Sequence, residues 1–198
     1  GGQVFPKGGM DNLIQCFYKS LTQAGVSSKF NEVVSQIITE DGKAIGVKIA
    51  SGKEYYAKTI LSAVSPIMTF KNLVGFPKLD TGFVRAINCS RHEGNTSKLL
   101  LALDKLPEIT DLNSDLLDSR FIFAPSIETV EKGFNPSKYN QISKNPTFEF
   151  TIPSFIDPSL SPSDISLVSV TIQNTPYNIS ESWDKYKSSL QNLVIKKI

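Results

Sequence analysis

The chain has 198 residues, 40% of them apolar, and a formal charge of +2 from 21 basic and 19 acidic side chains. That length and apolar content suffice for a sizeable core, as one large domain or parts of two. The near balance of charge leaves no positive field that would single out nucleic acid or an anionic membrane as the main partner. Cys16 and Cys89 cannot build a disulfide framework and neither sits in a Cys-x-x-Cys pair, so the expectation is free thiols in a reducing compartment, the cytoplasm. No apolar run approaches the roughly 20 residues of a membrane span, and no basic segment leads into an apolar one at the amino end.

Val4-Phe5-Pro6 is a short extended piece, and Gly8-Gly9 permits a tight bend after it. From Met10, apolar residues fall at 10, 13, 14, 17, 18 and 21, with Asp11, Gln15, Lys19 and Gln23 off that stripe, which predicts an amphipathic helix ended by Gly25. Val26 to Lys29 has the composition of a short strand. Val34, Ile37 and Ile38 lead to the turn pair Asp41-Gly42, Ile45, Val47 and Ile49 alternate, and Ser51-Gly52 makes a second turn: a three-stranded meander. Ile60-Leu61-Ser62-Ala63-Val64 suits a short strand covered on both faces. Pro66 then opens a helix through Ile67, Phe70 and Leu73. The pattern from Pro77 to Asn95 specifies little.

Leu99 to Leu103 is the next strand, followed by a polar surface loop from Thr110 to Ser119. Phe121 to Ala124 returns to strand, and a helix follows with Ser126 as its cap and Glu128 and Glu131 in its first turns. After a loop from Asn135 to Pro146, Phe148 to Ile152 alternates; a proline-rich passage runs from Pro153 to Pro162, and Leu167 to Gln173 alternates again. A last helix from Ser182 carries Trp183, Tyr186, Leu190, Leu193 and Val194. Strands and helices are mixed without strict alternation, so the fold class is α+β (α/β mixed), with a mixed β-sheet in the second half and a boundary near Ser65.

Side-chain chemistry singles out little. His92 stands alone in the polar run Ser-Arg-His-Glu-Gly, with no second histidine or cysteine cluster to complete a metal site. Gly-x-Ser-x-Gly and Gly-x-x-x-x-Gly-Lys-Ser/Thr are absent. Glu128, Glu131, Glu149 and Asp157 have general-acid chemistry, but their spacing proposes no pair. Phe121, Phe123, Phe148, Phe150 and Phe155 fit either the lining of an apolar cavity or a plain core.

The order of elements carries more. Phe-Pro-Lys-Gly-Gly-Met-Asp-Asn-Leu at 5–13, Val34-x-x-Ile37, Glu40 to Val47 and Ile60 to Pro66 together resemble the phytoene dehydrogenase-like flavoproteins of the flavin amine oxidase superfamily. Phe150 to Pro162, with its Pro-Ser-x-x-Asp-Pro-Ser-Leu-Ser-Pro run, and Gln173-Asn174-Thr175-Pro176-Tyr177 ahead of Trp183-Asp184, resemble the branch of the pyridine nucleotide-disulphide oxidoreductase domain-containing proteins.

The resemblance implies FAD on a Rossmann-like domain, though the Gly-x-Gly-x-x-Gly turn of that family is missing here. It therefore implies an internal, inactive piece of a longer oxidoreductase: residues 1–64 part of the FAD-binding domain, and 65–198 a substrate-binding domain cut within its last helix. By position, Val34 would read the adenine edge with its backbone, Ser62 and Ala63 would form the small strand end that passes the cofactor, and Gly8 and Gly9 would lie toward the flavin and substrate. The resemblance names no catalytic base. It implies a small apolar substrate and the rest of the FAD-binding domain as partners, and leaves peripheral membrane association of the parent open. Asp11-Asn12 departs from the Gly and Ala that the family prefers. The rival class is a non-catalytic lipid- or prenyl-binding, chaperone-like module on the related dissociation-inhibitor scaffold; a stand-alone ligand-binding domain is the third reading.

Overall fold

The computed structural model describes residues 5–90, 93–106, 109, 116–180 and 182–198. The chain divides into two compact units, residues 25–92 and the pair of segments 1–24 and 93–198. These units divide at 24/25 and 92/93, the first helix grouping with the second half of the chain.

In the unit 25–92, β1 (Val34–Glu40), β2 (Lys43–Ile49) and β3 (Glu54–Tyr56) form an antiparallel meander. Asp41 and Gly42 take φ of 49° and 74°, the double left-handed turn that matches strand twist and that an Asp-Gly pair supplies at low cost. Gly46 is needed for a different reason: a Cβ there would lie 2.5 Å from the Tyr55 carbonyl oxygen across the β2–β3 pair. Ile37 and Ile49 are buried. A π-helix (Met68–Gly75) follows, where an ordinary helix was expected, then α2 (Thr81–Cys89) within the stretch whose pattern specified little. The Asp80 side chain caps α2 by accepting from the Phe83 amide, and Phe83 meets Phe70 edge to face at 4.8 Å.

Two expected strands of this unit do not form. Val26 to Lys29 is irregular, flanked by positive φ at Gly25 and Asn31. Ile60 to Val64 is also irregular, and Leu61 is 92% exposed. A strand covered on both faces needs hydrogen-bonded neighbours, and among the described residues the sheet of this unit contains β1, β2 and β3 alone.

In the other unit, α1 (Gly9–Gln23) comes first, followed after residue 93 by β4 (Ser97–Leu103), β5 (Phe121–Phe123), α3 (Ile127–Phe134), β6 (Phe148–Thr151), the single turn α4 (Pro153–Ile156), β7 (Ser166–Ile172) and α5 (Trp183–Ile195). The four strands pair in the order β4-β7-β6-β5, every pair antiparallel, so the expected mixed sheet is corrected to an antiparallel one. Hairpin-like and longer returns alone link its strands; none of the pairs has the parallel crossover that mixing requires.

Alternation gives this sheet two different faces. Leu99, Leu101, Leu103, Val168, Val170, Ile172, Phe148 and Phe150 share the inner one, with Leu190 and Val194 of α5 and with Leu117 and Ile152. Phe121 stacks on Phe150 at 4.8 Å and Phe123 on Phe148 at 4.9 Å, so four of the five phenylalanines considered for a cavity pack with the core, although Phe150 also lines a cavity. Lys98, Leu100, Glu149, Thr171 and Ser169 lie on the outer face. Ser126 caps α3 and Ser182 caps α5, each through its side-chain oxygen. α5 closes at Ile195 with Lys196 as its last cap residue. The polar loop expected from Thr110 to Ser119 lies mostly outside the described residues, as does His92; Leu116 to Ser119 forms a turn that buries Leu117. Among the described residues no helix is long and apolar enough to cross a membrane.

Candidate cofactor and substrate site

Gly8 and Gly9 sit at φ of 77° and 75°, a left-handed entry into α1 that only glycine adopts without strain. Gly8 has no side chain with which to cap the helix. The missing acceptor comes from Asp157, 149 residues later: its Oδ2 receives the Gly8 N–H at 2.5 Å. Its Oδ1 accepts from the Ser159 amide at 3.0 Å and the Ser159 hydroxyl at 2.7 Å. These donors, the Ser159 hydroxyl first and the Gly8 amide next, hold the Asp157 carboxyl below its ordinary pKa by favouring the charged form. A negative group at the amino end of α1 also complements the helix dipole.

Leu160 completes the contact, since a Cβ on Gly9 would come within 3.0 Å of its Cδ2. The Asn12 side chain occupies the space beside Gly8 and donates to the Lys7 carbonyl at 3.0 Å. That is the structural use of the asparagine by which this chain departs from the family pattern. The glycine pair, weak as a motif by itself, and the Asp-Pro-Ser-Leu run, the most specific stretch of the sequence, therefore form one junction. Sequence alone treated Asp157 as an unpaired carboxylate, because nothing local announces a partner so distant in the chain.

Beside this junction, Phe5 and Pro153 share a cavity of about 170 Å³ with Lys98, Arg120, Glu149, Thr151, Ser169 and Thr171 of the outer sheet face. Lys98 Nζ donates to Thr171 Oγ1 at 3.0 Å, and Arg120 Nη1 donates to both Glu149 oxygens at 3.3 and 3.1 Å.

Val34, Ser62 and Ala63 belong to the other unit. Val34 opens β1 opposite Ile49, and the register shifts between Val34 and Gln36, so the ladder is interrupted at the residue whose backbone would read a base edge. The Ser62 and Thr69 hydroxyls are 2.7 Å apart, and both residues line a mainly apolar cavity of about 340 Å³ with Ile37, Ala44, Ile60 and Phe70. Ala63 and Val34 do not line it. Of the candidate residues only Ser62 lines this cavity, whose wall is mostly branched and aromatic, and the chain contains no glycine-rich cradle for a dinucleotide pyrophosphate.

Residues 1–155 match the flavin containing amine oxidoreductase family. The chain is 27% identical over 200 residues to the pyridine nucleotide-disulfide oxidoreductase domain-containing protein 2 of Rattus norvegicus, covering 96% of this chain and 34% of that protein. Prolycopene isomerase 2, chloroplastic, of an Oncidium hybrid cultivar is 25% identical over 162 residues, 82% of this chain and 25% of its own length. The phytoene desaturase of Neurospora crassa is 25% identical over 170 residues, 82% of this chain and 27% of its own. The crystal structure of the PF1083 protein from Pyrococcus furiosus shares the fold, with a TM-score of 0.64 at 16% identity, over 96% of this chain and 40% of that one. The chain spans about a third of the length of the first two curated relatives, at 34% and 32%. With a match that extends over residues 1–155, well over half of its length and including the glycine pair, this chain belongs to the flavin containing amine oxidoreductase family.

Proposed function

We propose that these residues are the internal part of a longer FAD-dependent oxidoreductase, contributing the meander and strand end of the FAD-binding domain together with the substrate-binding sheet. The observation that carries this reading is the family match over residues 1–155, joined to a coverage of one third of the relatives' length. Bound flavin would supply the acceptor for a hydride leaving a C–C or C–N bond of the substrate.

The roles of this chain's residues are binding and orientation. Val34 would present backbone groups to the adenine edge, and Ser62 with Ala63 would keep the passage beside the cofactor narrow. Gly8 and Gly9, anchored by Asp157, would fix the turn that leads from the cofactor side to the sheet. The piece by itself lacks the phosphate cradle and would not turn over. Free, exposed Cys16 and Cys89 agree with a reducing, cytoplasmic setting.

The test is to express the gene with its flanking coding sequence and record the visible spectrum of the purified protein. Bound flavin that bleaches anaerobically with a desaturation or amine substrate is the expected result. A longer protein that takes up no FAD on reconstitution overturns the oxidoreductase reading in favour of a binding module.

A further inference from the structure

The outer face of the four-stranded sheet is polar where a purely apolar substrate would want hydrocarbon. Three consecutive in-register positions cross it: Lys98 on β4, Thr171 on β7 and Glu149 on β6. Arg120 closes the row by pairing with Glu149, so its charge is largely answered on the spot. Among the described residues Lys98 is answered only by a neutral hydroxyl, and as Thr171 Oγ1 accepts from the ammonium its own O–H is available to donate to a ligand. Two cations against one carboxylate leave one net positive charge in the cavity. The hydroxyls of Ser169 and Thr151 stand in the same wall.

The size is informative as well. About 170 Å³ holds the head of a ligand, on the order of five water volumes at ~30 Å³ each. On the same face, Leu100 opposite Ser169 is 73% exposed and Ile122 opposite Glu149 is 71% exposed. Apolar surface thus flanks a small cationic and hydroxylic recess.

We propose that this recess binds the carboxylate end of an amphipathic acid, with Lys98 as the cation, the Thr171 and Ser169 hydroxyls as further donors, and Leu100, two residues along β4 on the same face, carrying the hydrocarbon part. A monoanion fits because Glu149 stays in place and opposes a second negative charge. The proposal rests on the reading of this sheet as the substrate-binding one and sharpens it from apolar to acid-headed substrates.

Calorimetric titration of the 198-residue chain with octanoate and with octanol tests it. Octanoate should bind about tenfold tighter than octanol, and Lys98→Met should abolish that preference while Lys98→Arg retains it. Because Lys98 is exposed, unchanged thermal unfolding of the variants shows that the fold is intact, and Leu100→Ser should weaken both ligands alike. Equal binding of acid and alcohol, or an unaltered preference in Lys98→Met, overturns the proposal. No flavin enters these titrations. A longer protein that fails to take up FAD would therefore refute the oxidoreductase reading and leave the octanoate result standing on its own.

Discussion

Replacing Val170 by alanine and, separately, Leu100 by alanine probes the register on which every statement about the two sheet faces depends. Val170 is 0% exposed and pairs with Leu99 on one side and Phe150 on the other. Its truncation removes two carbons, worth about 1.6 kcal/mol at about 0.8 kcal/mol per buried carbon. If the walls do not collapse, a void of about 50 Å³ adds on the order of 1 kcal/mol at about 24 cal/mol per Å³. The expected loss is therefore about 2–3 kcal/mol. Leu100 loses more carbon atoms but is mostly exposed, and its truncation should stay within about 0.5 kcal/mol. Urea unfolding followed by far-ultraviolet circular dichroism reads both. A one-residue slip of β4 against β7 would move Leu100 inward and Leu99 outward. A Leu100→Ala loss larger than that of Val170→Ala would refute the assignment of faces, and with it the placement of the Lys98 recess.

Gly9→Ala forces a side chain into a left-handed backbone position, costing about 1–2 kcal/mol, and presses on Leu160. Adding Leu160→Ala should relieve the pressure and leave the backbone cost, as read by hydrogen exchange of the α1 amides. Asp157 has a folded pKa below its ordinary value, so its contribution is present above the unfolded aspartate pKa and is lost as pH falls through the lowered one. The Gly8 amide resonance should accordingly shift in strongly acidic solution below the ordinary value of 3.8, and Asp157→Ala should remove that titration. In the meander, Gly46→Ala brings a methyl against the Tyr55 carbonyl and should release β3 while β1 and β2 stay paired, seen as loss of protection confined to residues 54–56. The apolar stripe of α1, with Met10, Ile14 and Phe17 each exposed, should bind 8-anilinonaphthalene-1-sulfonate, and Phe17→Lys should reduce the fluorescence.

Local patterns were readable where a short window determines the structure. The α1 stripe, the Asp41-Gly42 turn, the Ser126 and Ser182 caps and the alternation of β7 each follow from a few neighbouring residues, and each forms where expected. Ile60 to Val64 misled because a strand is a property of a pair: the composition suits a buried strand, but no neighbour in this sheet hydrogen-bonds to it. The antiparallel order of β4 to β7 was invisible because alternation reports faces, not direction. α2 was missed since its stripe is short, although Asp80 three residues before Phe83 was the available cap signal. At the site, Gly8, Gly9, Val34, Ser62 and Ala63 came only from family likeness. Asp157 and Lys98 gained roles solely through partners far away in the chain.

The junction of Gly8 with Asp157 has a consequence for biosynthesis. The two residues lie 149 positions apart, so α1 leaves the ribosome long before its anchor exists. Residues 25–92 form a compact unit of their own between the two segments that this contact joins. Closing a loop becomes only slowly more costly with its length, about 0.6 kcal/mol for each doubling, so the intervening unit can lengthen or shorten with little penalty to the closure. The arrangement is that of an insertion, in which one module can change in size over evolution while the helix and sheet that bracket it keep their connection.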